Sequence, residues 1–186
     1  MFFNKTTITN VSLFVLALLL SSLMFDGLPV FLGDASYIDF NVSNSILSGH
    51  GFSTGPNIHG TFTPFGKRPP GFSLLVASLV YFGLPIMTAS IIITSVSYAL
   101  VPVFVFLIFK HYYNHVKALL AAFIVLFHPS LIYYSKIAAP EIIGILILSA
   151  SYYLYLRWIE NQYNDRKDYF IALLLGLILG LTIWFR

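Results

Sequence analysis

Long apolar stretches separated by short charged segments dominate the pattern of this chain. A helix that crosses a bilayer needs about 20 mostly apolar residues. Regions of that character cover residues 6–25, 86–109, 118–135, 142–156 and 169–185. The first follows Lys5 and lacks a small-residue cleavage site, so we interpret it as an uncleaved span. The pattern predicts an all-α, polytopic membrane protein with about five transmembrane helices and a long outer loop that carries short interfacial helices.

Composition supports lipid as the solvent of this chain. Apolar residues make up 58% of the sequence and charged residues only 9%, whereas soluble domains have about 25% charged residues. Cysteine is absent, which excludes a disulfide framework, thiol catalysis and thiolate metal sites. We find no nucleotide-binding loop and expect no nucleic-acid partner.

Residues 69–109 carry no charge and could form one crossing or two. Lysines and arginines accumulate on the cytoplasmic side of membrane proteins. A single crossing at residues 86–109 gives six inside cations against four outside, and two crossings give three against seven. The inside set is then Lys5, Lys110, Lys117, Arg157, Arg166 and Lys167, and the outside set is Lys67, Arg68, Lys136 and Arg186. One crossing and a cytoplasmic amino terminus are therefore favoured.

The resulting organisation is a single transmembrane domain over residues 1–186. It consists of a first span (1–26), a long outer loop (27–71), an interfacial helix (72–85) and four further spans (86–186). Connections as long as this loop are usually functional or disordered. The pair His128 and Pro129 is interpreted as a kink within its span.

Acidic and basic side chains gather at the outer surface. In the loop, Asp34 precedes apolar residues with helical spacing, which predicts an amphipathic helix with Asp34 near its N-cap and Asp39 on its solvated face. Glu141 begins a span, where it would complement the helix dipole, and Lys67 and Arg68 could anchor in lipid headgroups. Together they also offer a carboxylate base beside a cation pair able to hold a phosphate.

The histidines are weaker candidates. His111 and His115 have the spacing of a metal pair, but they lie in a short inner loop without an acidic partner, so we interpret them as solvated polar residues. His50 and His59 share the outer loop with the two aspartates. A divalent metal there is left open as an alternative, and no metal ligand is assigned.

Several segments in a fixed order resemble the C-class membrane glycosyltransferases, in particular the protein O-mannosyltransferase and aminoarabinose transferase group. These segments are Gly-Asp-Ala-Ser-Tyr at 33–37, Leu-Ser-Gly-His-Gly-Phe at 47–52, Lys-Arg-Pro-Pro-Gly-Phe-Ser-Leu-Leu at 67–75 and His-Pro-Ser-Leu-Ile-Tyr-Tyr-Ser-Lys at 128–136. Glu141 then heads the next span. The resemblance covers nearly the whole chain.

The resemblance implies an enzyme that transfers a sugar from a polyprenyl- or dolichyl-phosphate donor to an acceptor hydroxyl at the outer face. The acceptor would be a lipid, a glycan or a protein of the cell envelope, and the protein would lie in a plasma or inner membrane. The resemblance makes Asp34 the catalytic base, with inversion at the anomeric carbon. Substrate binding is assigned to Lys67, Arg68, Asp39 and Glu141.

Two further expectations complete the sequence analysis. Members of this family have more spans, so we expect the chain to be an amino-terminal portion, and its activity alone is left open. The alternative function is a non-enzymatic membrane subunit or a carrier or flippase component. Carriers place polar groups at mid-membrane depth, whereas this chain gathers them at the outer surface, which favours lipid-linked chemistry.

Overall fold

Helices account for most of the computed structural model of the protein. It describes residues 4–23, 34–56, 59–64, 66, 69–160, 165–182 and 185, with backbone only at 34–37, 165–168, 171 and 181. The elements in chain order are α1 (Lys5–Leu23), α2 (Asp34–Leu47), β1 (Ser53–Pro56), β2 (Phe62–Pro64), α3 (Gly71–Tyr81), α4 (Ile86–Tyr112), α5 (His115–Leu126), α6 (Pro129–Lys136), α7 (Glu141–Glu160) and α8 (Asp165–Thr182).

Three of these helices, α1, α4 and α7, are long and apolar enough to cross a membrane. A fourth crossing results if α5 and α6, which meet at a 54° bend, form one broken span. The predicted all-α polytopic class is confirmed, but the described residues contain three or four candidate spans instead of about five. The difference lies at α8, whose 18 residues begin with four charged ones.

The uncharged stretch 69–109 forms one short helix and one long one. Gly83, with φ of 95°, ends the short helix α3. The Gly83 and Leu84 amides donate to the Val80 and Leu79 carbonyls at 2.9 and 3.3 Å, the paired bonds that close many helices through a left-handed glycine. The long helix α4 then begins after Pro85 and runs for 27 residues, about 40 Å at the usual rise. The helices therefore match the prediction of one crossing, and the interfacial position of α3 stays a prediction.

Hydroxyl groups of α4 donate hydrogen bonds to carbonyls near the ends of α5 and α6, the two helices of the bent pair. Pro129 has no backbone N–H, and carbonyls freed at a break in apolar surroundings need other donors. The Tyr98 hydroxyl donates to the Leu126 carbonyl at the end of α5. At the end of α6 the Ser135 carbonyl accepts from Thr94 Oγ1 at 3.0 Å. The buried residues around this break include Ala89, Tyr98, Ala99, Leu126, Ala138 and Ile142, which belong to the main apolar core.

One end of the helix bundle collects basic residues. Lys110 donates a hydrogen bond to Thr6, and His115 Nε2 lies 3.4 Å from Thr9 Oγ1. These contacts join the start of α1 to the end of α4 and the start of α5. His111 Nδ1 lies 2.9 Å from Glu160 Oε1 at the end of α7, so the expectation that His111 lacks an acidic partner is wrong. The partner comes from another helix, 49 positions along the chain.

Candidate functional site

An open cavity of about 380 Å³ lies at the opposite end of the bundle, where α2 and α3 approach the start of α7. Two carboxyl groups line it, those of buried Asp39 and exposed Glu141, and its other walls are mainly apolar. The lining residues are Asp39, Pro69, Phe72, Pro140, Glu141, Gly144, Ile145, Leu148 and Phe185. This cavity is the candidate functional site because it brings together residues that are about a hundred positions apart in the sequence.

Asp39 is buried in the contact between α2 and α3, with a relative exposure of 2%. Ser73 Oγ donates to Asp39 Oδ1 at 2.8 Å. Ser43 Oγ bonds the Asp39 carbonyl at 2.7 Å and the Ser73 carbonyl at 2.9 Å. The prediction that Asp39 lies on a solvated helix face is therefore wrong. The reason is that α3, with buried Phe72 and Val76, packs across this face.

Glu141 is the first residue of α7, as the sequence predicts, and its side chain is exposed at the cavity mouth. The carbonyl of Pro140 accepts the amides of Ile143 and Gly144 at 3.0 and 3.1 Å, which begins the helix. A carboxylate in the first turn is favoured by the helix dipole. Its exposed carboxyl oxygens can accept hydrogen bonds from a bound ligand.

The remaining predicted site residues have no described side chain. Asp34 is the first residue of α2, as the predicted helix requires, and only its backbone is described. Asp39 follows it five positions later, about 7.5 Å along the helix axis. Lys67 and Arg68 lie outside the described residues. Pro69, which follows Arg68 directly, lines the cavity.

Sequence reasoning missed the apolar wall of this cavity. Glu141, Gly144, Ile145 and Leu148 occupy positions i, i+3, i+4 and i+7 of α7, so they share one helix face. Every residue of this span except its first is uncharged up to Arg157, which hid the stripe among other apolar residues. The signal that could have found it is Gly144, a small residue three positions after Glu141, which the helical repeat places on the same face.

The segment between α2 and α3 contains a small β-hairpin that the sequence analysis did not predict. Strands β1 and β2 pair antiparallel, and His50 stacks on Phe62 with ring centroids 3.6 Å apart. No group of three or more His, Asp or Glu side chains with metal-binding geometry occurs among the described residues. The observed neighbour of His50 is therefore an aromatic ring.

These features define a polytopic helical membrane protein with a cavity lined by two carboxyl groups and an apolar wall. A family model described as dolichyl-phosphate-mannose-protein mannosyltransferase matches residues 55–185, well over half of the chain. The chain belongs to this family, which confirms the resemblance to C-class glycosyltransferases. A search of curated proteins and a search of solved structures each found no match.

Family membership supports a membrane-embedded glycosyltransferase that draws on a dolichyl-phosphate sugar donor. The matched region includes Lys67, Arg68 and Glu141, together with all cavity residues except Asp39. Asp34 and Asp39 precede it. The family match and the cavity therefore overlap at α3, α7 and the segment that leads into α3.

Proposed function

We propose that this protein transfers a sugar from a polyprenyl- or dolichyl-phosphate donor to an acceptor hydroxyl at the outer membrane face. The observation that carries the proposal is the position of Asp39 and Glu141 at one cavity whose wall is apolar, in a member of this family. A lipid-linked sugar has the same two-part character, because a hydroxyl-rich head is joined to a hydrocarbon chain.

The dimensions and chemistry of the cavity suit such a head group. Small-molecule sites enclose about 300–1,000 Å³ and use a few polar groups to fix orientation, and this cavity measures about 380 Å³. Sugar hydroxyls donate hydrogen bonds, and ionised carboxylates only accept them. Asp39, held by Ser73, and Glu141 are proposed to bind these hydroxyls on the donor or the acceptor.

The proposed reaction is one displacement at the anomeric carbon. The acceptor oxygen attacks this carbon while the bond from carbon to the phosphate oxygen breaks, and the electron pair leaves with the lipid phosphate. Asp34 takes the acceptor proton as general base. Lys67 and Arg68, next to the cavity-lining Pro69, stabilise the charge that develops on the departing phosphate. Attack from the opposite side inverts the anomeric configuration.

The membrane orientation belongs to the same proposal. Lys5, Lys110, Lys117 and Arg157 lie on helix ends that meet at the basic end of the bundle. The cavity lies at the other end. Because cytoplasmic segments are rich in Lys and Arg, the basic end is proposed to face the cytoplasm and the cavity to face outside.

The test uses right-side-out and inverted membrane vesicles that contain the chain, with radiolabelled sugars on several polyprenyl-phosphate donors. We expect transfer by the wild type and a loss of about 10²-fold or more in Asp34→Asn, since general bases contribute that much. Glu160→Gln is the matched control, because Glu160 lies at the basic end. Membrane insertion is measured for each variant.

The outcomes separate the alternatives. Equal transfer by Asp34→Asn and wild type removes Asp34 from the role of base. No transfer from any donor by the correctly inserted wild type, and none by a longer protein that contains this chain, contradicts glycosyl transfer and favours the non-enzymatic subunit or the carrier or flippase component.

A further inference from the structure

One face of α7 forms a groove in the wall of the cavity. Glu141 lies at its start, and Gly144, Ile145 and Leu148 follow on the same face. Leu148 lies seven positions after Glu141, about 10 Å along the helix axis. Ile145 and Leu148 keep exposed fractions of 37% and 57%, so the groove opens sideways to the surroundings of the bundle.

Gly144 keeps this groove wide near Glu141. A Cβ atom added at Gly144 would meet no heavy atom within 4 Å. A larger side chain at this position would therefore fit the fold and project into free space beside the cavity. Gly144 is the fourth residue of α7, glycine has a poor helix propensity, and no close helix contact at this position requires it.

A second groove provides a comparison. It lies between α1 and α4 and is lined by Val15, Leu18, Leu19, Ser21, Ser22, Ile91 and Ser95. No charged residue belongs to this lining. Ser21 and Ser95 hydrogen-bond to each other at 3.0 Å, and Ser21 also bonds Ser135 at 3.1 Å. This second groove can contact an acyl chain, but it offers no charged group for a sugar phosphate.

We infer that the α7 groove receives the first isoprene units of the donor lipid, and that Gly144 is the residue that admits them. The inference rests on the proposed function, because the occupant is the tail of the proposed donor. The groove belongs to the same cavity that would hold the sugar, and Pro69 and Asp39 line that cavity as well. A sideways opening lets a chain of any length continue into the bilayer.

The first test is photolabelling, which needs no turnover. A polyprenyl phosphate with a diazirine near its phosphate end is incorporated into vesicles that contain the chain, irradiated and mapped by mass spectrometry after trypsin digestion. Cleavage after Lys136 and Arg157 isolates the α7 face in one peptide, residues 137–157. We expect the label there, competed by unlabelled polyprenyl phosphate and not by phosphatidylglycerol.

Variants sharpen this test. Gly144→Leu should reduce labelling of peptide 137–157 by roughly tenfold, since a side chain that fills the groove excludes the isoprenoid. Gly176→Leu is the matched control, because an added Cβ at Gly176 also meets nothing within 4 Å and Gly176 lies outside the cavity lining. Leu148→Trp, at the end of the groove far from Glu141, should reduce transfer from long-chain donors several-fold more than transfer from a donor with one isoprene unit.

Misfolding would lower transfer from every donor alike. A loss of transfer that depends on the length of the donor's isoprenoid chain therefore distinguishes an effect on the groove from misfolding. Labelling that spreads over peptides 6–67 and 137–157, or that phosphatidylglycerol competes, overturns the inference. So does equal labelling in Gly144→Leu and Gly176→Leu. Specific labelling of α7 without sugar transfer contradicts the proposed function alone, and sugar transfer with the label elsewhere contradicts the groove alone.

Discussion

Ser73 donates a hydrogen bond to Asp39 across 2.8 Å, and both side chains are almost completely buried. Asp39 comes from α2 and Ser73 from α3, so this bond fixes α2 against the next helix. Ser43 reinforces it by bonding the carbonyls of both residues. Because Asp39 also lines the cavity, the same contact connects folding of the loop to the shape of the site.

Removing the Ser73 hydroxyl should therefore weaken both stability and transfer. Ser73→Ala leaves the buried carboxylate without this donor, and we expect a loss of about 1–3 kcal/mol in the free energy of unfolding. Ser78→Ala, in the same helix, is the control, since exposed Ser78 bonds only the Leu75 carbonyl of its own helix. Thermal unfolding in detergent micelles measures both variants. Equal unfolding temperatures for the two would contradict this role of Ser73.

The hydroxyl cluster of α1, α4 and α6 gives a second prediction. Ser21 bonds both Ser95 and Ser135, and hydrogen bonds between membrane helices contribute about 0.6–1.7 kcal/mol. Ser21→Ala should lose a free energy of this size in unfolding measurements. Ser22→Ala, one residue further, should lose less than about 0.5 kcal/mol, because exposed Ser22 bonds only the Leu19 carbonyl. The prediction fails if the two variants unfold alike.

The absence of cysteine makes the membrane orientation directly measurable. Single cysteines placed at Thr63 in the hairpin and at Tyr113 between α4 and α5, both exposed, can be labelled with a membrane-impermeant maleimide in intact cells. The proposed orientation predicts labelling of Thr63→Cys before permeabilisation and of Tyr113→Cys only afterwards. The reverse order of labelling would indicate the opposite membrane orientation, with the cavity at the cytoplasmic face.

The sequence predicts best the elements whose signal is local. The boundaries of α1, α4 and α7 follow from apolar length and flanking charge, and the start of α2 at Asp34 follows from helical spacing. The resemblance based on short motifs agrees with the family match over residues 55–185. Each of these features depends on residues that lie close together in the sequence.

Features that depend on packing escaped the sequence analysis. Asp39 looks like a solvated residue because its burial is caused by α3, more than 30 positions away. His111 seems to lack an acidic partner because Glu160 belongs to another helix. The span count differs for two other reasons: α5 and α6 meet at a 54° bend, and α8 begins with four charged residues. The two side-chain contacts need a distant helix and the bend needs a three-dimensional angle, whereas the charges of α8 are visible in the sequence.

The most direct test of the central claim compares Glu141→Gln with Glu160→Gln. Each replaces a carboxylate with a neutral group of similar size, one at the cavity mouth and one at the basic end of the bundle. The measurement is kcat/KM for sugar transfer from a polyprenyl-phosphate donor by correctly inserted protein. Since hydrogen bonds to charged groups contribute about 1.5–3 kcal/mol, we expect Glu141→Gln to lose roughly tenfold or more and Glu160→Gln to match wild type. Equal values for both variants, or a loss confined to Glu160→Gln, would contradict a site at this cavity.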